Sequence, residues 1–195
     1  IENKEGAGER DASRKTARLL TQIRTKLSAV QGNWAVVVYR LDEKKGYGIG
    51  EDTVFSAASI MKVPILLAAV KKLNTDDIYV LRDEDKQSGS GPIEFMDAGT
   101  KLTVAQLMTY MTKNSDNTAT LVLARMAVKG ETEKEIARLG MKDTNFKENT
   151  TTAADLVTMW RKVYEEKNES VWGLLQDSIY EDRISLGLPE SVQFI

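Results

Sequence analysis

Apolar residues recur at three- and four-residue steps through Ala17, Leu20, Ile23, Leu27 and Val30, so Arg10 to Val30 is predicted to be an amphipathic helix. Gly32-Asn33 ends it. The pattern then changes. Trp34 to Leu41 holds the apolar run Ala35, Val36, Val37, Val38, Tyr39 and predicts a buried strand, Asp42 to Gly46 predicts a turn, and Tyr47-Gly48-Ile49 returns as a second strand. From Ser59 onward the period is mostly helical. Helices are predicted over Ser59–Leu73, Thr103–Met111, Asn117–Val128, Glu131–Arg138, Thr152–Tyr164 and Glu169–Ile179. The fifth opens with a capping box of Thr152 and Asp155. Arg82 to Lys101 is polar and aperiodic and contains Ser88-Gly89-Ser90-Gly91-Pro92; a loop this long in a compact domain usually serves a site. Val192 to Ile195 reads as the start of a strand. A helix, two strands and then mostly helices suit a sheet with a helix on one face beside a helical lobe.

Composition narrows the chemistry. The 195 residues are 42% hydrophobic and 29% charged, the balance of a globular chain with a core. The net charge is −2 with both signs dispersed, so no basic block points to nucleic acid. The longest apolar stretch, Val63 to Val70, is too short to cross a bilayer. Ile1 to Glu5 is polar and charged and does not read as a signal peptide. Two absences decide more: there is no Cys and no His. That removes thiolate nucleophiles, Ser-His and Cys-His pairs and the usual zinc ligands. A hydrolase built from this chain must take its base from Lys, Asp, Glu, Tyr or a second hydroxyl.

Ser59-Ile60-Met61-Lys62 meets that need. Residues three apart on a helix share a face, so Lys62 would stand one turn beyond Ser59. The helix start favours negative charge developing on the Ser59 oxygen. Apolar neighbours would desolvate Lys62, lower its pKa and leave a neutral amine able to take a hydroxyl proton. Taken singly, the plainer reading prevails, with Ser59 an N-cap and Lys62 a surface charge. Ser115-Asp116-Asn117 falls between two predicted helices, where helix capping is the plain role. A functional turn there would offer a hydroxyl to relay a proton and an amide to hold substrate or the Lys.

Together the two motifs are far more specific. Ser-x-x-Lys followed by Ser-Asp-Asn, each in this helical context, resembles the class A β-lactamase family within the serine β-lactamase and penicillin-binding superfamily. The likeness extends to Asp52, Phe55 and Ala58 before Ser59, to Gly89-Ser90-Gly91, Leu102-Thr103-Val104, Leu107 and Met111 before Ser115, to Thr118-Ala119-Thr120 after Asn117, and to Thr151-Thr152 with Asp155. It implies an α/β (α+β) sandwich of an antiparallel sheet with flanking helices and an all-helical lobe. Residues 1–58 would begin the α/β lobe, 59–181 form the helical lobe, and 182–195 return to the first. The site would lie between the lobes, with no metal or organic cofactor. The resemblance also implies roles. Ser59 would attack the carbonyl of a β-lactam or a D-alanyl-D-alanine peptide, Lys62 would take its proton directly or through water, and Ser115 would pass a proton to the departing nitrogen. Asn117 would orient Lys62 and the substrate amide, and the Ser59 N–H would form half of an oxyanion hole. An extracytoplasmic location follows from the resemblance alone.

Two departures from the family pattern shape the expectation. The segment from Gly140 to Thr152 has no Glu-x-x-Leu-Asn, the place of the deacylating base; Glu148 and, more weakly, Asp143 are its candidate carboxylates. Without such a base an acyl-enzyme persists, which favours a D,D-peptidase or penicillin-binding protein, or a non-catalytic binding relic. The family's Lys-Thr-Gly strand is also expected beyond Ile195, and no such triplet occurs in the sequence. The sandwich would then lack its C-terminal strands unless a second chain or fragment supplied them. An unrelated helical interaction domain would need both motifs to be coincidence.

Overall fold

The computed structural model describes residues 4–127 and 130–179, with side chains from residue 15 onward. Helix α1 (Lys4–Ser28) contains most of the first predicted helix and begins earlier. Strands β1 (Val36–Arg40) and β2 (Lys45–Ile49) pair antiparallel, with Val38 opposite Tyr47. The first strand is shorter and less buried than its apolar run implied. Trp34 and Leu41 lie outside it, 46% and 47% exposed. α1 packs on β2 and α6 on β1, so each strand of this two-stranded sheet has limited cover.

Two further ribbons escaped the sequence pattern because three residues are too few to show a period. β3 (Val54–Ser56) pairs with β6 (Thr150–Thr152), Phe55 opposite Thr151. β4 (Ile78–Val80) pairs with β5 (Lys101–Thr103) and ties together the two ends of the polar loop. The stretch from residue 59 on is therefore not purely helical: it carries β4, β5 and β6.

The core gathers round α2 (Lys62–Lys72). Seven consecutive residues, Val63 to Ala69, are buried. A helix apolar on all sides is a central one, and α2 packs against α3 (Val104–Lys113), α4 (Asn117–Met126), α5 (Glu131–Leu139) and α7 (Glu169–Leu175). Pro64 is tolerated because N–H groups in the first helical turn have no partner to lose. The predicted helix at Ser59 begins as a 3₁₀ turn, Ala58–Met61, so Ser59 sits inside a tight turn rather than at an N-cap. α7 stops four residues before its predicted end at Ile179; Lys113 Nζ donates to the carbonyls of Gly173 and Gln176 there. α4 ends at Met126, and Val128 lies outside the described residues. So do residues 182–195 and the strand expected at Val192–Ile195. Among the described residues no helix is long and apolar enough to cross a membrane.

One predicted cap is half right. Thr152 Oγ1 accepts from Asp155 N at 3.1 Å and opens α6 (Ala153–Glu166). The Asp155 carboxylate does not return to Thr152. It takes the N–H groups of Lys142 (3.0 Å) and Asp143 (2.8 Å) and the Thr144 hydroxyl (2.7 Å), fastening the chain after α5 to α6. The reciprocal box occurs instead at α3, between Thr103 and Gln106.

The polar loop is anchored by Asp85, fully buried in a 3₁₀ turn after β4. Burial alone would push its carboxyl up. Hydrogen bonds from the Tyr79 hydroxyl, Arg125 and the Arg82 N–H outweigh burial and hold it at about 2. Its folded pKa is below the unfolded value, so the stabilisation is complete above about pH 4 and is lost as pH falls toward 2. The shift corresponds to on the order of 2 kcal/mol. In urea unfolding, the stability gap between wild type and Asp85→Asn is expected to narrow by about that much between pH 4 and pH 2. A gap constant across that range would show that the carboxylate is not what anchors the loop.

Candidate active site

The nucleophile candidate is held from behind by backbone. After β3, the buried Ala57 donates its N–H to Asn149 O at 2.8 Å, and Ile60 N–H closes on Ala57 O at 3.1 Å. Ala58 takes a left-handed conformation, φ +47, which costs a non-glycine residue about 1 kcal/mol. This sharp turn leaves Ser59 exposed at the mouth of the helical path, with Lys62 half-buried three residues on.

Ser115 approaches from the junction of α3 and α4. It too is left-handed, φ +53, and presents both its carbonyl and its hydroxyl to Lys62. Lys62 Nζ donates to Ser115 O, to Ser115 Oγ at 2.8 Å and to Asn117 Oδ1 at 3.0 Å. Three acceptors match the three hydrogens of an ammonium. Ser115 Oγ in turn donates to Ser59 Oγ at 2.9 Å. The four residues singled out in the sequence thus meet in one connected chain, Ser59–Ser115–Lys62–Asn117. When Lys62 is the neutral amine, its lone pair can accept from Ser115 Oγ while its two hydrogens keep Ser115 O and Asn117 Oδ1, and Ser59 Oγ can donate to Ser115 Oγ, so the same contacts serve with the hydroxyl hydrogens turned the other way. Burial lowers the Lys62 pKa below the ordinary lysine value, and the nearby Asp116 carboxylate offsets only part of this.

Asp116 is the structural member of its motif. It is fully buried, accepts from Ala119 N at 2.7 Å as the N-cap of α4, and accepts from Ile93 N at 2.9 Å. It thereby joins the polar loop to the helix junction. Gly91 passes so close, at φ +97, that a Cβ there would strike both the Asp116 carboxylate and its Cα. That is why the loop needs glycine at this position. Further bonds join Asn117 N to Ser90 O (3.0 Å), Asn117 Nδ2 to Ser88 O (3.0 Å) and Gln87 N to Thr118 Oγ1 (2.9 Å). The loop that looked aperiodic in sequence is one wall of the site.

These elements enclose a cleft of about 470 Å³ lined by Ser59, Lys62, Asn117, Gln87, Ser88 and Phe146, among others. Among the described residues, none that lines it is a carboxylate. Glu148 is exposed and Asp143 is exposed beside α6, and neither lines the cleft. Sequence reasoning did not assign Phe146 or Asn149 to the site, and both line the cleft. The available signal was Phe146 itself, a large apolar residue within a polar stretch.

Comparison with curated proteins returned no match. Solved structures do match. A β-lactamase from Sphaerobacter thermophilus aligns at 27% identity over 80% of this chain and 66% of that one, with a TM-score of 0.71. A mutant of PBP-A, solved as an acyl-enzyme complex with penicillin G, aligns at 22% over 90% of this chain and 74% of that one, TM-score 0.79. A D-alanyl-D-alanine carboxypeptidase from Mycobacterium tuberculosis aligns at 22% over 72% and 58%, TM-score 0.60. The last two show the shared fold alone, and this chain spans 58% to 74% of the length of these relatives. A family model described as the beta-lactamase enzyme family matches residues 18–195. With nearly the whole sequence inside that match, the chain belongs to the beta-lactamase enzyme family.

Proposed function

We propose that this protein is a serine acyl-transfer enzyme that reacts with β-lactams through Ser59 and releases the product slowly. The observation that carries this reading is the connected chain from Ser59 Oγ through Ser115 Oγ to Lys62 Nζ, opening on a substrate-sized cleft. Ser59 Oγ attacks the lactam carbonyl carbon, the ring C–N bond breaks, and the Ser59 proton moves through Ser115 toward the neutral Lys62 amine. The same path returns a proton to the departing ring nitrogen. The ring opens without losing atoms, so the adduct carries the drug's full mass. Desolvation of Lys62 supports its role as base. Asn117 fixes the amine and leaves its amide beside the cleft.

Slow release is supported by the cleft lining, which among the described residues holds no carboxylate to activate a deacylating water. The same observation favours a second reading, a penicillin-binding protein or D-alanyl-D-alanine peptidase whose reaction with β-lactams is inhibitory. A binding relic without turnover is the third. An extracytoplasmic setting accords with any of these.

Intact-protein mass spectrometry after incubation with penicillin G, followed by peptide mapping, tests the proposal. The expected result is a full-mass adduct on the peptide containing Ser59 that persists for hours. An adduct that vanishes within seconds of drug removal would point to efficient hydrolysis and overturn slow release. No adduct at saturating drug would overturn the acyl-enzyme reading in favour of the relic.

A further inference from the structure

We propose that Phe146 is a specificity-determining residue: its ring closes the Ser59 cleft against a second cavity and restricts the site to compact acyl substituents. This rests on the acyl-enzyme reading. The second cavity, about 590 Å³, lies behind the cleft between α5 and the chain that follows it. Its apolar lining comes from Ile136, Ala137, Met141 and Phe146. Among the described residues, Phe146 is the one that lines both spaces. The two cavities therefore share this residue.

That side chain is placed by backbone, not by chance packing. Asn145 and Thr150 exchange both backbone hydrogen bonds, at 2.9 and 3.1 Å, and Asn149 N–H closes on Phe146 O at 3.3 Å. Thr150 stands opposite Ser56 in the β3–β6 ribbon, and Asn149 O holds the Ala57 N–H two residues before Ser59. The ring thus keeps a fixed relation to the nucleophile and packs, partly buried, against the apolar core. With the phenyl group present, an acyl substituent extending from Ser59 past Met61 meets a wall. With it shortened, the substituent gains an open groove with an apolar strip at Ile136, Ala137 and Met141, along which a linear alkyl chain can lie.

The test compares two penicillins that differ only in the acyl group on the exocyclic amino nitrogen attached to the lactam ring, acetyl and decanoyl. In wild type the acetyl compound is expected to acylate Ser59 faster. In Phe146→Ala the ratio of decanoyl to acetyl acylation rates is expected to rise by about tenfold or more, the scale of a few methylenes admitted to an apolar pocket. Phe146→Leu, which conserves most of the packing, should fall between. A ratio within about twofold of wild type in a folded Phe146→Ala protein would overturn the proposal. Calorimetric binding of the same compounds to the full chain carrying Ser59→Ala, with and without Phe146→Ala, separates the two readings. If wild type forms no adduct yet decanoyl binding tightens about fivefold or more on shortening Phe146, the gate stands and the acyl-enzyme reading falls. If decanoyl binding does not tighten, the gate falls whatever the acylation shows.

Discussion

Lys62→Met is expected to slow acylation of Ser59 by penicillin G about a thousandfold at neutral pH, within the range a positioned general base contributes. Methionine keeps the length and apolar stem of the lysine and removes only the basic nitrogen. The change breaks the one link through which the Ser59–Ser115 pair reaches a base. It does not open the core, because Lys62 is half-buried and its charged form is disfavoured there by burial. The pH profile gives a second readout. A lowered pKa means the neutral amine appears at lower pH than for an ordinary lysine, so wild-type acylation should rise as pH climbs through that value and level above it. The methionine variant should lose the rise. Lys62→Arg, charged at every accessible pH, should be slow throughout. Stopped-flow acylation with a chromogenic β-lactam measures all three. A methionine variant within about threefold of wild type would remove Lys62 from the role of base.

The second large effect is on the frame. Asp116→Ala is expected to cost roughly 3 kcal/mol, combining about 1 for the lost cap of α4 with the penalty for leaving the Ile93 N–H without a partner in a buried place. Both bonds run to a fully buried carboxylate, at 2.7 and 2.9 Å. Urea unfolding reads the loss, and Asp116→Asn, which keeps one acceptor oxygen, should lose less. Asp116 also raises the Lys62 pKa against the effect of burial. Its removal should therefore move the acylation profile to lower pH in whatever fraction remains folded. A loss below about 1 kcal/mol would mean that the polar loop is held by its other bonds and that Asp116 is replaceable.

The site was legible in sequence where chemistry and local geometry coincide. Ser59 and Lys62 are three apart on one helical path, and Ser115 and Asn117 flank a helix start, so residue type and spacing sufficed. The way they connect was not legible. Ser115 bridges Ser59 and Lys62 because two residues, Ala58 and Ser115, adopt left-handed backbone that no side-chain pattern announces. The helices were found by their period and misjudged mainly at their ends, as at Leu175, where a distant Lys113 caps the carbonyls. The strands β3 to β6 were missed because each is three residues long and takes its identity from a partner far along the chain. Asp155 shows the same limit in one residue: its position fits a local cap, yet its carboxylate serves the segment from Lys142 to Thr144.

The ribbon joining Val54–Ser56 to Thr150–Thr152 also sets a timetable. Both signature motifs leave the ribosome well before Thr150 does, at the pace of a few to about twenty residues per second. Until then the turn at Ala58 lacks the Asn149 carbonyl that braces it, and Phe146 has no place to stand. A nascent chain carrying Ser59, Lys62, Ser115 and Asn117 therefore has every reactive group and no assembled centre. Reactivity toward a β-lactam should switch on late in synthesis, which makes drug labelling of stalled chains of increasing length a clock for the order in which this fold closes.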